Sequence, residues 1–300
     1  MRKGGIMKTA SNENYAYFPG CSLHASAAEY NSSVLRVCEK LGIKLEEMKE
    51  WVCCGATPVH SVNPKLALAL SARNLAIAAG MGKDVAVACA ACFNRMKSTA
   101  KHLDEHEDIR KQIDEITETK YKSGIGVHHI ISILANLEPE KIEKAITKKL
   151  TGLKVGCYYG CLLVRPPKIV EFDDAENPTI MEKLLSHTGA EMIDWNFRTE
   201  CCGASLSVPR TDVVLKLCND ILSDAKKKGI DVLSVACPLC QLNLDMRQWE
   251  VEKAYKTSYQ IPIMYFTQIL GLAMGEYPES IGLHKLIVSP IGILREKHLI

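Results

Sequence analysis

Ten of the thirteen cysteines in this chain fall into one pattern written twice. The first copy runs from Cys21 across 31 residues to the doublet Cys53-Cys54, which Gly55-Ala56 follow, and from the doublet across 34 residues to Cys89-Ala-Ala-Cys92. The second runs from Cys161 across 39 residues to the doublet Cys201-Cys202, which Gly203-Ala204 follow, and from the doublet again across 34 residues to Cys237-Pro-Leu-Cys240. Five cysteines recurring in order, with one spacing kept to the residue, mark an internal duplication. Thiolates in this number are ligands for metal or redox chemistry. A structural zinc takes four, and two adjacent cysteines on one small ion would strain the chain. Four also satisfy an ordinary cubane cluster. Five per half, with a neighbouring pair able to reach different irons, suggest a larger or irregular iron–sulfur assembly. A zinc staple in at least one half stays open.

These cysteines need a scaffold that brings distant segments together. Residues 16–18 read as a strand leading into Pro19-Gly20-Cys21, and residues 29–41 as a helix with Val34, Cys38 and Leu41 on one face, closed by Gly42. A second strand is expected over 43–45. Asn63-Pro64 opens a helix running to Gly80, apolar nearly all round and therefore expected to be buried. Residues 85–88 form a short strand delivering Cys89 and Cys92, with a helix expected from about Phe93-Asn94, and 97–122 reads as a charged, solvated helical stretch. The second half repeats the plan. A strand over 153–157 leads to Cys161, an amphipathic helix carries Val214, Leu217, Cys218, Ile221, Leu222 and Ala225, and a strand over 232–236 delivers Cys237 and Cys240. Residues 127–134 align with 263–270.

The fold class is therefore α/β, with two pseudo-symmetric repeats built on parallel-sheet, Rossmann-like cores and the cysteines at the carboxyl edges of the strands. The expected organisation is a flexible tail over 1–14, a first domain over 15–148 and a second over 149–300 with a C-terminal extension, the boundary lying near 147–152. Cys38 and Cys218 sit on apolar stripes as core residues. Cys157, ending a strand, is expected to be buried too. His128 and His129, without counterparts in the second half, read as structural.

Composition narrows the function. A net charge of +2 gives no basic excess for nucleic acid. The first 14 residues lack the apolar run of a signal peptide, and 261–274, the longest apolar stretch, is too short to span a bilayer. The expectation is a soluble, cytoplasmic protein without a membrane span, in which so many cysteines serve metal or redox chemistry rather than disulfides.

The order Cys, Cys-Cys-Gly, Cys-x-x-Cys, occurring twice from Tyr15 onward, resembles the CCG-domain proteins. With Cys157-Tyr-Tyr-Gly-Cys161 and Arg165-Pro166 just after it, the chain is similar within that family to the B-type subunit of the heterodisulfide reductase of methanogenic archaea. The resemblance implies two non-cubane [4Fe-4S] clusters, each held by the five cysteines of one half and facing one another across the mixed disulfide of coenzyme M and coenzyme B. It implies partners as well: a flavin-bearing subunit and a small iron–sulfur subunit of the same complex. Cleaving a disulfide takes two electrons and a cluster normally passes one, so each cluster is expected to deliver one electron and bind one substrate sulfur. Two other classes remain: an electron-transfer subunit of a glycolate or lactate oxidase or thiol:fumarate reductase type complex, and a zinc-stapled scaffold.

The substrate's sulfonate and phosphate ends are anionic, which makes Arg165, Lys168, Arg210 and Arg95 candidate binding residues. The segment from Cys161 to Cys202 is eight residues longer than its counterpart, and Arg165 and Lys168 lie in the extra length. His24, three residues after Cys21, is a candidate donor to the site. The last stretch, 274–300, has no counterpart in the first half and is expected either to pack on its own domain or to cover a partner subunit. Replacing Cys38 or Cys218 by alanine is expected to leave iron content unchanged. Replacing Cys54 or Cys202 by serine is expected to disturb one centre and spare the other; iron analysis and EPR read both outcomes.

Overall fold

In the computed structural model, which describes residues 13–55 and 59–300, eight strands form two separate four-stranded sheets. The first has the order β2-β1-β3-β4, with β1 Asn14–Phe18, β2 Lys44–Glu47, β3 Val85–Val87 and β4 Val127–His129. The second repeats it as β6-β5-β7-β8, with β5 Lys154–Tyr158, β6 Glu191–Met192, β7 Val232–Val235 and β8 Ile263–Tyr265. Every pairing is parallel, with Tyr17 opposite Ala86 and Cys157 opposite Ser234. The α/β repeat plan read from the sequence therefore stands. Central strands β3 and β7 are wholly buried, as parallel strands covered on both faces must be. Edge strand β2 carries Lys44, Glu46 and Glu47 and is left largely to solvent, which discourages pairing with other chains.

Helices fill the crossovers where the apolar periodicity placed them. The helix Ala28–Lys40 buries Tyr30, Val34, Val37 and Cys38. The helix Pro64–Met81 is capped by the Asn63 side chain, which accepts from the Leu66 amide at 3.0 Å. It is not buried all round: Ala67, Ala72, Leu75 and Ala78 face the core, while Leu66 remains 45% exposed. Alanine is compatible with either surface, so hydropathy alone overstated the burial. The expected tail over 1–14 lies outside the described residues except for Glu13 and Asn14, and Asn14 already belongs to β1.

The two halves share one continuous core. Ser33 and Thr267 are hydrogen-bonded at 2.7 Å, the Tyr30 ring stacks on Tyr265 at 3.9 Å, and Asn94 donates to the carbonyls of Leu162 and Arg165 at 2.9 and 2.7 Å. Arg36 and Lys40 both meet Glu276.

The C-terminal stretch belongs to this core rather than standing free for a partner. Leu283, Leu286, Leu294 and Leu299 are buried, and the Asp245 carboxylate accepts from the amides of Ile287 and Val288 at 2.8 and 2.9 Å. Of the apolar residues in 286–288 and 291–294, Leu286 and Leu294 are turned inward, Val288, Ile291 and Ile293 are half-buried, and Ile287 is exposed. Removing 282–300 should thus destabilise the chain on the order of 5 kcal/mol or more, since several buried leucines are lost together. A thermal melt checks this, and a truncated chain melting like the intact one would show that the segment is not part of the core.

Candidate metal centres

In both sheets the order places β1 and β5 between strands whose crossovers run in opposite directions, and such switch points open a crevice beyond the carboxyl ends. The cysteines follow those ends. Cys21 comes three residues after β1 and Cys161 three after β5. Cys89 and Cys237 are the N-caps of helices beginning at Ala90 and Pro238, and Cys92 and Cys240 fall in the first turns. The helix expected from Phe93-Asn94 thus starts earlier, so the Cys-x-x-Cys motif lies within the helix start, where free amides and the helix dipole favour thiolate.

The glycine before the first cysteine of each copy has a fixed purpose. Gly20 has φ +72° and Gly160 φ +65°, the left-handed region. A Cβ on Gly20 would lie 3.3 Å from the Cys92 sulfur, and one on Gly160 would lie 3.1 Å from the Cys240 sulfur. Each loop closes onto the Cys-x-x-Cys helix only because no side chain intervenes.

Within each adjacent pair one thiol faces out and one in: Cys53 and Cys201 are exposed, Cys54 and Cys202 buried. Cys54 and Cys92 sulfurs lie 3.2 Å apart, Cys202 and Cys240 3.5 Å, and Cys21 and Cys53 3.8 Å. These are contacts, far longer than the ~2.05 Å of a disulfide. Among the described residues no three ligating side chains close to the spacing of a single metal ion; the sulfurs gather in pairs.

The crowding shows in the acidities. The Cys161 thiol holds Cys201 down, at about 6, against burial and with help from the Gly203 amide, while Cys161 itself is pushed up. Hydrogen bonds from Cys240 and Cys89 hold Cys237 well below the ordinary thiol range, and Cys89, Cys92 and Cys240 are driven up in turn. Thiolates so close in a dry pocket ionise together only when a cation sits among them. The donor set therefore fits a cationic iron–sulfur group in each half.

Three thiols lie outside the repeated pattern, and Cys218 reaches the Cys202 carbonyl at 3.8 Å. Burial pushes Cys38 up to about 12 and also raises Cys157 and Cys218; all three are buried.

The two sites adjoin one another, an arrangement that the spacing of either half alone does not announce. The backbone carbonyls just before Cys89 and Cys237, Ala88 O and Ala236 O, lie 2.9 and 3.4 Å from one Tyr30 hydroxyl, so the two strand ends meet across the halves. The cleft beside Cys161, Cys202 and Cys240 is walled by Ala90 and Ala91 of the first half together with Tyr159 and Leu239. Tyr159 was not singled out from sequence, although it stands in the Tyr-Tyr-Gly-Cys string, and Ala90 and Ala91 carry no chemical signal at all.

None of the other candidates lines that cleft, though the Arg165 amide donates to the carbonyl of Cys161, which does, at 3.0 Å. His24 lies 2.9 Å from Glu47 and edge-on to Trp51. Arg165 donates to the Thr199 carbonyl and to Glu176, at 3.1 and 3.0 Å. Arg210 pairs with Asp212 on the surface, Lys168 is exposed, and Arg95 is half-buried. His128 meets Asp84 at 3.2 Å, and His129 is buried with Nε2 2.7 Å from the Ala88 carbonyl.

Two parallel α/β repeats, each presenting five cysteines at its switch point, define a duplicated cysteine-rich domain. The model of the cysteine-rich domain, CCG, matches residues 15–97 and 155–245, and the chain belongs to that family. It is 32% identical over 278 residues to the 8-methylmenaquinol:fumarate reductase membrane anchor subunit of Wolinella succinogenes, covering 92% of this chain and 97% of that protein. It is 29% identical over 284 residues to the B-type subunit of the ferredoxin/F420H2-dependent CoB-CoM heterodisulfide reductase of Methanosarcina acetivorans, covering 92% and 94%. The B-type subunit of the Methanosarcina mazei ferredoxin:CoB-CoM heterodisulfide reductase is 31% identical over 249 residues, covering 81% and 83%. These relatives are subunits of oxidoreductase complexes. A hypothetical protein from Helicobacter pylori has the same fold, with TM-score 0.75 at 15% identity over 94% of this chain, which spans about half (53%) of that one. Among the described residues no helix is long and apolar enough to cross a membrane.

Two outcomes follow from this geometry. Gly160→Ala should cost about 1–2 kcal/mol from its backbone conformation and shift the Cys240 sulfur, lowering iron per chain. Gly152→Ala, at φ +86° with open space around it, should keep full iron. Cys89→Ser and Cys237→Ser should perturb the EPR signals of both centres, whereas Cys53→Ser and Cys201→Ser should each perturb one.

Proposed function

We propose that this chain is the disulfide-reducing subunit of an oxidoreductase complex, converting the coenzyme M–coenzyme B heterodisulfide to two thiols. The observation that carries the reading is that the two five-cysteine sites adjoin, Ala90 and Ala91 between Cys89 and Cys92 walling the cleft of Cys161, Cys201, Cys202, Cys237 and Cys240. Reducing one S–S bond consumes two electrons and two protons and releases two thiols. Iron–sulfur centres pass electrons singly, so a matched pair beside one bond suits that stoichiometry.

Cys21, Cys53, Cys54, Cys89 and Cys92 would hold one non-cubane [4Fe-4S] cluster, and Cys161, Cys201, Cys202, Cys237 and Cys240 the other. When bound, these clusters supply the single electrons and the affinity for sulfur. The chain's own residues do the positioning. Ala90, Ala91, Leu162 and Leu239 give the cleft apolar walls that receive the disulfide and keep water off it. Tyr159 lines the same cleft, its hydroxyl hydrogen-bonded to Glu182, which burial raises above the usual carboxyl range. Arg165, 35% exposed and four residues beyond Cys161, is the cation best placed for an anionic end of the substrate. Its guanidinium is held by Glu176, which must move aside for an anion to bind there. Electrons arrive from the partners in the complex, one bearing flavin and the other a further iron–sulfur centre.

Similarity to the Wolinella fumarate reductase subunit favours a second reading, in which the chain relays electrons within such a complex without binding a disulfide. Anaerobically purified protein separates the two. Adding the heterodisulfide to oxidised protein should change its EPR spectrum, and reduced complex should release two thiols per disulfide. An unchanged spectrum would assign the chain to electron relay. Zinc without iron or acid-labile sulfide would overturn both readings.

A further inference from the structure

The strand ends that deliver Cys89 and Cys237 are tied together by a side chain from elsewhere. Tyr30, fully buried in the helix Ala28–Lys40, directs its hydroxyl at two backbone carbonyls. It donates to Ala88 O at 2.9 Å and lies 3.4 Å from Ala236 O. Ala88 immediately precedes Cys89 and Ala236 immediately precedes Cys237, so the two acceptors are equivalent positions of the two repeats. His129 adds a second donor. Its Nδ1 accepts from the Ile131 amide at 3.3 Å, which leaves the proton on Nε2 to be donated to Ala88 O at 2.7 Å.

The ring and the hydroxyl of Tyr30 have separable tasks. The ring stacks nearly parallel on Tyr265, at 3.9 Å and 3° between planes, and meets Phe266 edge-on. That packing would serve a phenylalanine equally well. The hydroxyl adds a tie between two sheets that are not hydrogen-bonded to one another as strands. The Tyr265 hydroxyl across the stack is buried without a hydrogen-bond partner, so it shares no part in the tie.

We propose that Tyr30, seconded by His129, is a positioning residue that fixes the separation of the two cysteine sites by tying together the strand ends that carry Cys89 and Cys237. This deepens the two-site reading above and rests on it. A reaction in which both sites engage one S–S bond tolerates little change in their spacing, whereas electron exchange at either site alone does not depend on it.

The test compares Tyr30→Phe with Tyr265→Phe in the intact complex. Tyr30→Phe should keep its iron and sulfide and the rate at which a reduced viologen dye reduces its centres once, in the absence of disulfide. The spin–spin interaction between the two reduced centres, read by EPR without substrate, should change. Disulfide reduction should lose about tenfold or more in kcat with KM little altered. Tyr265→Phe should match the parent in every measurement. An unchanged spin–spin interaction in Tyr30→Phe would overturn the proposal. So would loss of iron in that variant, because the hydroxyl would then serve folding alone. If the parent complex reduces no disulfide, the functional reading fails, and the EPR comparison still decides whether Tyr30 sets the spacing.

Discussion

Sulfur crowding is the constraint on which the rest of this structure depends. Thiols 3.2 to 3.8 Å apart, several of them buried, cannot all ionise unless a positive group sits among them. The fold answers with three devices repeated in each half. Parallel strands end at one edge and deliver the first cysteine. A left-handed glycine lets that loop press against the Cys-x-x-Cys sulfur. A helix beginning at the motif turns its free amides toward the thiolates. Hydrogen bonding among the thiols distributes the remaining protons, leaving Cys201 and Cys237 the most acidic.

Duplication alone would give two separate copies of such a site. Here the copies are fused through a common core, and the fusion brings their innermost cysteines together. The helix Ala28–Lys40 packs against the helix Phe266–Ala273, and the helix Ile130–Ala135 packs against Ile180–Ser186, so each half lends a covering helix to the other. Asn94 reinforces this from the site itself, holding the loop after Cys161 by two backbone carbonyls. The symmetry is broken in the longer second loop, where Asp173 accepts from the amides of Thr179 and Ile180, and Asp174 from those of Glu176 and Asn177.

Much of this was legible in the linear chain. Ligand chemistry depends on residue type, so ten cysteines in a repeated order announced themselves, and parallel strands betray themselves by short apolar runs that recur with crossover helices between them. Cys38 and Cys218 were separable from the ten repeated cysteines because their neighbours at helical spacing are apolar, and both are buried. The same local logic misplaced the helix after Cys89, because a cysteine N-cap lacks the side-chain signature of serine, threonine or aspartate. It also overstated the burial of Pro64–Met81, because alanine carries no preference strong enough to mark a face.

What the sequence determined by itself was which side chains could ligate metal, that they come in two equivalent sets, and that parallel sheets present them. Only the tertiary structure decided how the sets relate. The walls supplied by Ala90 and Ala91, the Tyr30 tie between Ala88 and Ala236, and the inward turn of Leu286, Leu294 and Leu299 all join residues far apart in the chain. Each depends on close packing between surfaces whose shapes exist only after folding, and neither periodicity nor residue type encodes which surfaces will meet.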